Sequence, residues 1–429
     1  MSIFKRKAII VKGHTFSEYL SRCGREYIMG RGEIIKDKNK LKPNRRYWEI
    51  NGEYYQVGIK KELRIAFTAV SIAAMVMTVF LPIYFCVIAP MERYHDYNFK
   101  YWNDAPALNT LKEYVKNAVT PGNADYVPKE DRIATFDMDG TLFGERSPIY
   151  AEWMMYNQYY DYLKSKDPKD TKLTEGEDVP GKEPQQHTVV TADRVYDEIK
   201  KFMDTQVLKD FVVDNITITL EQAEAYLGAI LFSKLTLEEY DTITNTFLEE
   251  NAPKFNNLLM KDMFYKPMIE VVEFLQQNNF NVYVVSGTDR FMVRTIVNKH
   301  LNIPYHNVIG MDVRVTPSQG KIIRTTELLV KNVEVAKVEL IMKEIGKIPV
   351  LSFGNSNGDV DMHNLILSNA KYKSQAYMVL ADDNSREIGY TDDIIIPRRE
   401  KWNQNGYQVF SMKDDWKTIY GDNVTVIPK

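Results

Sequence analysis

The chain has 429 residues, of which 44% are hydrophobic, and a formal net charge of -3. This length accommodates two or three domains with a sizeable core. The near-neutral charge gives no sign of nucleic-acid binding, so nucleic acid is not an expected partner. The two cysteines, Cys23 and Cys86, exclude a disulfide scaffold or a cysteine-based metal site beyond Met91.

Residues 1–64 form a basic segment, with sixteen Lys and Arg against seven Asp and Glu. Lys60, Lys61 and Arg64 come directly before an apolar run. The basic side chains could contact anionic lipid or simply be solvated, and both interpretations stay open.

An uncharged run of 27 residues extends from Ile65 to Met91. Because a membrane-spanning helix needs about 20 apolar residues, we predict a single transmembrane helix over residues 65–90. The alternative is a buried core helix, although core helices seldom lack charge over this length. The run starts too far from the N-terminus for a cleaved signal peptide.

The charges that flank the predicted helix indicate its orientation. The basic segment precedes it, whereas the stretch that follows, "ERYHDYNFKYWND", is nearly balanced. The positive-inside rule then puts residues 1–64 in the cytoplasm and the remainder of the chain outside, anchored in the lipid bilayer. Residues 91–130 are expected to be a linker that leads into the next domain.

Beyond residue 130, predicted strands alternate with predicted helices. "RIATFD", "NVYVVS", "IPVLSF" and "AYMVLA" have the composition of buried strands, and helical patterns such as "PMIEVVEFLQQNN" stand between them. This alternation predicts an α/β fold with a parallel sheet covered on both faces. We assign this core to residues 131–145 and 254–429.

Residues 146–253 interrupt the alternation with consecutive helical patterns, which predict a helical cap domain inserted after the first strand. "TLEEYDTITNTFLEE" begins with Thr-x-x-Glu, which is typical of a capping box. Residues 165–191 are polar and rich in charge, Pro and Gly, so we predict an exposed loop or a disordered insert there.

Three predicted strands end in small and polar residues: Asp137-Met138-Asp139-Gly140-Thr141, Ser286-Gly287-Thr288 and Gly354-Asn355-Ser356-Asn357-Gly358-Asp359. The carboxyl ends of parallel strands meet at one edge of a sheet, where ligands bind. A carboxylate there can attack phosphorus, and a second acid two positions on can protonate the leaving alkoxide and then activate water. Hydroxyl and backbone N–H groups, a lysine and a divalent cation can neutralise the developing charge. Oxygen ligands alone favour Mg²⁺ over zinc.

Together these residues resemble the motifs of a known family. "DMDGT", "VVSGT", a downstream lysine and "GNSNGD" are similar to the four motifs of the haloacid dehalogenase superfamily. Longer stretches, such as "VPKEDRIATFDMDGTLFGERSP" and "YMVLADDNSRE", resemble phosphoserine-phosphatase-like members and exported bacterial acid phosphatases. The resemblance implies a Rossmann-like core with a helical cap of the C1 type inserted after the first motif.

The resemblance also implies a role for each matching residue. Asp137 would be the nucleophile and Asp139 the general acid and base. The phosphoryl group would be bound by two hydroxyl residues, a glycine and a lysine: Thr141, Ser286, Gly287 and Lys337. Mg²⁺ would be held by residues of the first and last motifs: Asp137, Asp139, Asn355 and Asp359.

Some assignments leave alternatives open. Lys337, 22 residues before Asp359, fits the spacing of the family best, while Lys321 and Lys331 remain rivals for the phosphate-binding lysine. Asn355 stands where the family usually has Asp, so we expect a metal site with one negative charge fewer. Asp359 would then be a direct ligand or would support one from the second shell.

The predicted function is phosphate-ester hydrolysis. Dehalogenases lack the second aspartate, so Asp139 argues against a dehalogenase. P-type ATPases have Lys after the nucleophile, so Met138 argues against that class. Glu145 would contact the substrate or else be a solvated loop acid. We therefore expect a membrane-anchored, Mg²⁺-dependent phosphomonoesterase that acts outside the cytoplasm on small phosphate esters. The alternative is a non-catalytic receptor that binds a phosphorylated ligand and signals through the span.

Overall fold

The computed structural model describes residues 7–10, 34–42, 46–50, 53–57, 61–75, 77–78, 94–169, 173, 176–180, 187–205, 207, 209–213 and 216–427. The chain divides into two units, Met1–Met91 and Glu92–Lys429, and each is described by itself. The first unit contains strands β1 (Lys7–Ile10), β2 (Ile34–Ile35), β3 (Arg46–Ile50) and β4 (Glu53–Val57). They form an antiparallel sheet in the order β1-β3-β4-β2. This sheet was not predicted from the sequence.

Helix α1 (Lys61–Met75) covers the first part of the predicted transmembrane helix. Residue 76 and residues 79–90 of that prediction lie outside the described residues. Among the residues that the structure describes, no helix combines the length and the apolar character needed to cross a membrane. The transmembrane helix over residues 65–90 stays a prediction.

The second unit alternates strands with helices. Its helices are α2 (Pro106–Val119), α3 (Ala151–Lys166), α4 (Ala192–Thr205), α5 (Leu220–Leu231), α6 (Leu237–Leu248), α7 (Lys266–Gln277), α8 (Arg290–Leu301), α9 (Val335–Glu344), α10 (Val360–Leu367) and α11 (Asp392–Gln404). Its strands are β5 (Ile133–Phe136), β6 (Gly176–Pro180), β7 (His187–Thr191), β8 (Phe211–Val213), β9 (Ile216–Ile218), β10 (Phe255–Asn256), β11 (Asn281–Asp289), β12 (Val308–Ser318), β13 (Lys321–Val330), β14 (Leu351–Gly354), β15 (Gln375–Leu380), β16 (Gln408–Ser411) and β17 (Thr425–Val426).

A seven-stranded sheet lies at the centre of this unit, in the order β13-β12-β11-β5-β14-β15-β16. Neighbouring strands are parallel throughout, except that β13 runs antiparallel to β12. β5 lies between β11 and β14, and all four of its residues are buried. The prediction of an α/β fold is confirmed, and the sheet is mostly parallel, with β13 as the exception to the predicted parallel arrangement.

Helices pack on both faces of the sheet. Successive side chains of a strand point to opposite faces, so neighbouring residues join different parts of the core. Val284 of β11 lies in the cluster that contains Phe274 of α7, whereas Val285 lies with Ile341 of α9 and Ile366 of α10. The sheet is therefore shielded on both sides, and its carboxyl edge is left for polar residues.

The predicted linker over residues 91–130 is only partly a linker. α2 occupies residues 106–119, and its apolar positions Leu111 and Val115 are fully buried in the main hydrophobic cluster. Pro106 begins this helix, where its missing N–H group has no helical partner to lose. The helical spacing of the buried side chains makes α2 part of the core.

Between β5 and α7 the chain forms the helices α3, α4, α5 and α6 and two hairpins that were not predicted. That this stretch is a cap domain stays a prediction. β6 pairs with β7 and β8 pairs with β9, both antiparallel. The prediction of an exposed loop or disordered insert over residues 165–191 is therefore wrong for residues 165–166, 176–180 and 187–191, whereas residues 170–172, 174–175 and 181–186 lie outside the described residues. Thr188 and Val190 are buried, because β-branched side chains suit a strand whose alternate positions face a packed surface.

The predicted capping box at the start of α6 is confirmed. The Thr236 hydroxyl accepts the N–H group of Glu239 at 3.1 Å, and the Glu239 carboxylate accepts the N–H group of Thr236 at 2.8 Å. This reciprocal pair satisfies two N–H groups that have no partner within the helix. The motif therefore fixes where α6 begins.

Candidate active site

The carboxyl ends of β5, β11 and β14 bring the polar motifs to one edge of the sheet. Asp137 follows β5 directly, and its backbone N–H group donates to the carbonyl oxygen of Phe353 in β14 at 2.9 Å. Phe136 is paired in register with Val284 of β11, so Ser286 lies two residues further along the neighbouring strand. Parallel pairing thus places the three motifs side by side, as the sequence predicts.

Lys337 bridges two carboxylates in this site. Its Nζ atom lies 2.6 Å from Oδ1 of Asp137 and 2.7 Å from Oδ1 of Asp359, and all three side chains are buried. Burial and repulsion by Asp359 raise the pKa of Asp137, and the ammonium group of Lys337 opposes them. Burial would lower the pKa of Lys337, but attraction to both carboxylates raises it above its ordinary value. Lys337 is therefore a charged group in contact with the candidate nucleophile.

The two rival lysines make other contacts, although Lys331 is near enough to Asp139 to lower its pKa. Lys331 forms a buried ion pair with Glu224 of α5, with its Nζ atom 2.7 Å from the carboxylate. Lys321 is exposed at the start of β13. Of the three candidates, Lys337 is the lysine that the structure brings to Asp137.

Asp139 lies two residues after Asp137 and has a different environment. Its Oδ2 atom accepts a hydrogen bond from the Thr288 hydroxyl at 2.8 Å. Burial raises the pKa of Asp139 to about 7, with Glu152 and Glu145 adding to the effect and Thr288 opposing it. A carboxyl group with that pKa can both donate and accept a proton near neutral pH, which general acid–base catalysis requires.

Gly140 and Thr141 hold the loop of the first motif against Asn355. Gly140 has φ +75°, and a Cβ atom there would lie 1.9 Å from the side-chain nitrogen of Asn355. Only glycine therefore suits this position. The Thr141 hydroxyl donates to the Asn355 carbonyl oxygen at 3.5 Å, a long contact within the buried site.

Asp359 is engaged on both carboxylate oxygens. Oδ1 accepts a hydrogen bond from the Nζ atom of Lys337. Oδ2 accepts hydrogen bonds from the backbone N–H groups of Asn355 and Ser356 at 3.0 and 3.1 Å. Attraction to Lys337 and these hydrogen bonds overcome burial and lower the pKa of Asp359. Asp359 thus shapes the last motif and holds Lys337, which favours the supporting role over direct metal ligation.

Ser286 and Gly287 occupy the end of β11. Ser286 is fully buried, and its Oγ atom accepts the N–H group of Thr288 at 3.1 Å. The Asn332 side chain donates to the Ser286 carbonyl oxygen at 3.0 Å and so fixes the strand end. Ser286 and Gly287 were predicted from the sequence. Thr288, although it stands in the "VVSGT" motif, and Asn332 were not assigned a role.

Glu145 is buried beside the site, so the interpretation as a solvated loop acid is wrong. Its carboxylate accepts hydrogen bonds from the Tyr390 hydroxyl at 3.2 Å and the Tyr150 hydroxyl at 3.4 Å. It also hydrogen-bonds the side chain of Asn355. Burial raises the pKa of Glu145 above its ordinary value, although the charges of Arg146 and Arg398 and the hydrogen bonds from Tyr390 and Asn355 oppose the shift. No sequence pattern had linked Glu145 to Tyr390, which is 245 residues away.

The fold and the site together define an α/β protein with two aspartates, a buried lysine and hydroxyl groups at the carboxyl edge of a parallel sheet. The sequence matches no protein-family model and no curated protein. Solved structures give matches at low identity. One is a conserved functionally unknown protein from Anaerococcus prevotii DSM 20548, with 15% identity, 76% of this chain and 98% of that chain covered, and a TM-score of 0.45.

Two further similar structures carry phosphatase names. A phosphoserine phosphohydrolase-like protein from Francisella tularensis subsp. tularensis SCHU S4 has 13% identity, with 65% of this chain and 94% of that chain covered and a TM-score of 0.34. A probable phosphoserine phosphatase from Vibrio cholerae has 10% identity, with 78% of this chain and 69% of that chain covered and a TM-score of 0.31. TM-scores below 0.5 do not define a family, so the function of this chain has to be inferred from its own site.

Proposed function

We propose that the chain is a phosphoric monoester hydrolase of the haloacid dehalogenase type, which cleaves small phosphate esters through an aspartyl-phosphate intermediate. The observation that supports this most is the contact of 2.6 Å between Lys337 and Asp137, beside a second aspartate with a pKa of about 7. A nucleophilic carboxylate, a cation and a proton donor are the groups that phosphoryl transfer needs.

The residues suggest a division of labour. Because Oδ1 of Asp137 is held by Lys337, Oδ2 is the oxygen available to attack phosphorus. As the ester P–O bond breaks, Asp139 donates its proton to the leaving oxygen. Asp139 then accepts a proton from the water that attacks the aspartyl phosphate, which releases inorganic phosphate and restores both carboxyl groups. Lys337, Ser286, Gly287 and Thr141 would hold the phosphoryl oxygens.

The donor set fits Mg²⁺. Among the described residues, no group of three or more His, Cys, Asp or Glu side chains is arranged to hold a metal. The site instead offers the Asn355 carbonyl oxygen, the loop at Asp139 and Oδ1 of Asp137, which is not the attacking atom. These are hard oxygen donors of the kind that Mg²⁺ prefers. Such a cation would neutralise charge on the phosphoryl group. The cluster contains three carboxyl groups, those of Asp137, Asp139 and Asp359, but one ammonium group, that of Lys337. An added positive charge is therefore electrostatically favourable.

We also propose that the enzyme is anchored by residues 65–90 and acts outside the cytoplasm. The uncharged run and the basic residues before it support this orientation. Protease added to intact cells should then cut the catalytic unit while a reporter fused at Met1 stays protected. If the catalytic unit is cleaved only after the cells are permeabilised, the catalytic unit lies on the cytoplasmic side and the proposed orientation is wrong.

The experiment that tests the proposed activity is phosphate release by the purified full-length chain, with Mg²⁺ and with EDTA. Asp137→Asn should lower turnover by several orders of magnitude and abolish covalent labelling by a radiolabelled phosphate ester, since the amide is a poor nucleophile. Asp422→Asn, at an exposed position, is the matched control. Near wild-type turnover of Asp137→Asn would exclude the aspartyl-phosphate mechanism.

A further inference from the structure

The end of β11 does not pair regularly with its neighbour β12. The register of the two strands shifts between Val285 and Asp289, so that residues 286–288 of β11 face Gly310 alone in β12. A Cβ atom at Gly310 would lie 2.8 Å from the Thr288 carbonyl oxygen, so the extra residues pass close to that strand. Such a bulge disrupts the hydrogen-bond ladder locally and turns side chains in a new direction. Its position therefore depends on contacts from other elements.

Glu152, in the first turn of α3, supplies one of these contacts. Its Oε1 atom accepts the backbone N–H group of Asp289 at 2.6 Å, and both residues are buried. A buried N–H group without an acceptor is unfavourable, so this hydrogen bond stabilises the end of the bulge. The two residues are 137 positions apart in the chain.

The Glu152 carboxylate is itself held in place. The Tyr156 hydroxyl donates to the same Oε1 atom at 2.8 Å. The Oε2 atom lies 3.8 Å from Nζ of Lys331, which pairs with Glu224 of α5 at 2.7 Å. Burial and repulsion by Glu152 raise the pKa of Glu224, and Lys331 opposes them. Contacts from α3, α5 and the residue after β13 thus fix the orientation of Glu152.

The bulge carries the residue that contacts the proposed acid. Thr288 donates its hydroxyl to Oδ2 of Asp139 at 2.8 Å, and its own N–H group donates to the Ser286 hydroxyl oxygen at 3.1 Å. The peptide group between Thr288 and Asp289 contains the N–H group that Glu152 accepts. The orientation of this peptide group determines where the Thr288 hydroxyl points, so Glu152 and Asp139 are connected through it.

The other contacts of this segment hold different groups. Asn332 donates to the Ser286 carbonyl oxygen at 3.0 Å. Arg324 pairs with the Asp289 carboxylate at 2.6 Å, and the same carboxylate accepts the N–H group of Phe291 at 2.8 Å. These bonds engage a carbonyl group and a side chain, whereas Glu152 engages the Asp289 N–H group. Loss of the Glu152 contact is therefore not replaced by them.

We propose that Glu152 is a positioning residue of the candidate active site: by accepting the N–H group of Asp289, it keeps the Thr288 hydroxyl on Asp139. Glu152 affects turnover in this way only if Asp139 donates a proton to the leaving oxygen, so the inference rests on the proposed phosphatase function. An ester of an aliphatic alcohol needs that proton, whereas a nitrophenyl ester, whose leaving group is a stable anion, needs it much less. Glu152 therefore matters most for the turnover of alkyl phosphates.

Two substitutions separate the hydrogen bond of Glu152 from its charge. Glu152→Gln removes the charge but keeps an oxygen within reach of the Asp289 N–H group. Glu152→Asp keeps the charge on a shorter side chain, so the carboxylate no longer reaches that group. Glu270→Asp is the matched control, because the buried Glu270 carboxylate also accepts backbone N–H groups, those of Lys100 and Tyr101 at 3.1 Å each, in the segment before α2.

The dependence of turnover on the leaving group measures the effect on catalysis. For the purified full-length chain, kcat/KM is compared between an alkyl phosphate and nitrophenyl phosphate at one pH and one Mg²⁺ concentration. In Glu152→Asp the ratio of alkyl to nitrophenyl kcat/KM should fall about tenfold, whereas Glu152→Gln and Glu270→Asp should keep the wild-type ratio. In Thr288→Val, which already lacks the hydroxyl, Glu152→Asp should lower the ratio no further. An unchanged ratio in Glu152→Asp, an equal fall in Glu152→Gln, or an equal further fall in Thr288→Val would overturn the positioning role.

Backbone hydrogen exchange gives a readout that needs no turnover. The exchange of the amide groups of residues 286–290 is followed in the folded full-length chain. Glu152→Asp should speed exchange at Asp289 about tenfold, and Glu152→Gln and Glu270→Asp should leave it unchanged. If the wild-type protein releases no phosphate from any ester, the proposed function is wrong, and the exchange rates still decide whether Glu152 holds this segment. Unchanged exchange at Asp289 in Glu152→Asp would overturn the positioning role.

Discussion

The ammonium group of Lys337 lies 2.6 Å from the carboxylate of Asp137, although 200 residues separate them in the chain. The same Nζ atom contacts Asp359 at 2.7 Å, so one cation holds together two buried acids that would otherwise repel each other. The contact fixes which Asp137 oxygen is held and which is available. It also makes the integrity of the site depend on one side chain.

The first prediction concerns this lysine. Lys337→Met leaves Asp137 and Asp359 buried without their cation, so the free energy of unfolding should fall by about 3–5 kcal/mol and phosphate release should drop by at least two orders of magnitude. Urea unfolding and initial rates at saturating substrate measure the two effects. Lys321→Met, at an exposed position, is the control and should change neither. Retained activity in a folded Lys337→Met protein would remove Lys337 from the phosphate site.

The second prediction concerns Asp139 and Thr288. The Thr288 hydroxyl stabilises the charged form of Asp139, whose pKa is about 7, so Thr288→Val should raise that pKa further. For an ester with a poor leaving group, kcat/KM should fall as pH rises through the pKa of Asp139, because the proton donor is lost. The falling limb should therefore move to higher pH in Thr288→Val. Both proteins are compared at one Mg²⁺ concentration, since a bound cation shifts both profiles the same way. If the falling limb of the kcat/KM profile stays at the same pH in Thr288→Val, the pKa that governs it belongs to a group other than Asp139.

The third prediction concerns Asn355, which stands at a position where the family that the sequence resembles usually has Asp. Asn355 hydrogen-bonds Glu145, so Asn355→Asp would put two carboxyl groups in contact and offset the added attraction for a cation. Asn355→Asp with Glu145→Gln restores a donor beside the new acid. The double variant should need less Mg²⁺ for half-maximal activity than either single variant. If the two substitutions are simply additive in a double-mutant cycle, the side chains are not coupled.

Much of this site was predictable because its residues are tied to strand ends. Asp137, Ser286 and Asn355 each follow or end a short apolar run, and parallel pairing brings such ends together whatever their distance in the sequence. Lys337 was preferred because its spacing to Asp359 matches the family that the sequence resembles, and the sequence left Lys321 and Lys331 open as rivals. The capping box of α6 followed from Thr236 and Glu239, since its four residues are local.

The contacts of Tyr390 and the sheet of the first unit were not predicted, for two different physical reasons. The contacts of Tyr390 with Glu145 and Arg146 are purely tertiary, and no local pattern marks them. The sheet of the first unit, in contrast, did have a local signal. β3 and β4 are separated by Asn51 and Gly52, a dipeptide typical of tight hairpins between alternating strands. That signal was outweighed by the polar composition of the segment.

The fourth prediction concerns Glu387, a buried acid outside the proposed chemistry. Burial raises its pKa from 4.5 to about 7, although hydrogen bonds from the Tyr420 hydroxyl and the Ile388 N–H group oppose the shift. Between these two pH values the folded protein binds a proton that the unfolded chain does not. The stability that this proton contributes is therefore fully present below about pH 4.5 and is lost as pH rises through 7.

Glu387→Gln should remove this dependence, because the amide does not titrate while it keeps an oxygen that can accept from the Ile388 N–H group. The difference in the free energy of unfolding between wild type and Glu387→Gln should change by about 3 kcal/mol from pH 4.5 to pH 8, in the direction that disfavours the wild type at high pH. Urea unfolding across this range measures it, with the exposed Glu339→Gln as control. A difference that stays constant with pH would mean that Glu387 is ionised in the folded protein, and its contact with Tyr420 would then be a hydrogen bond to a buried charge.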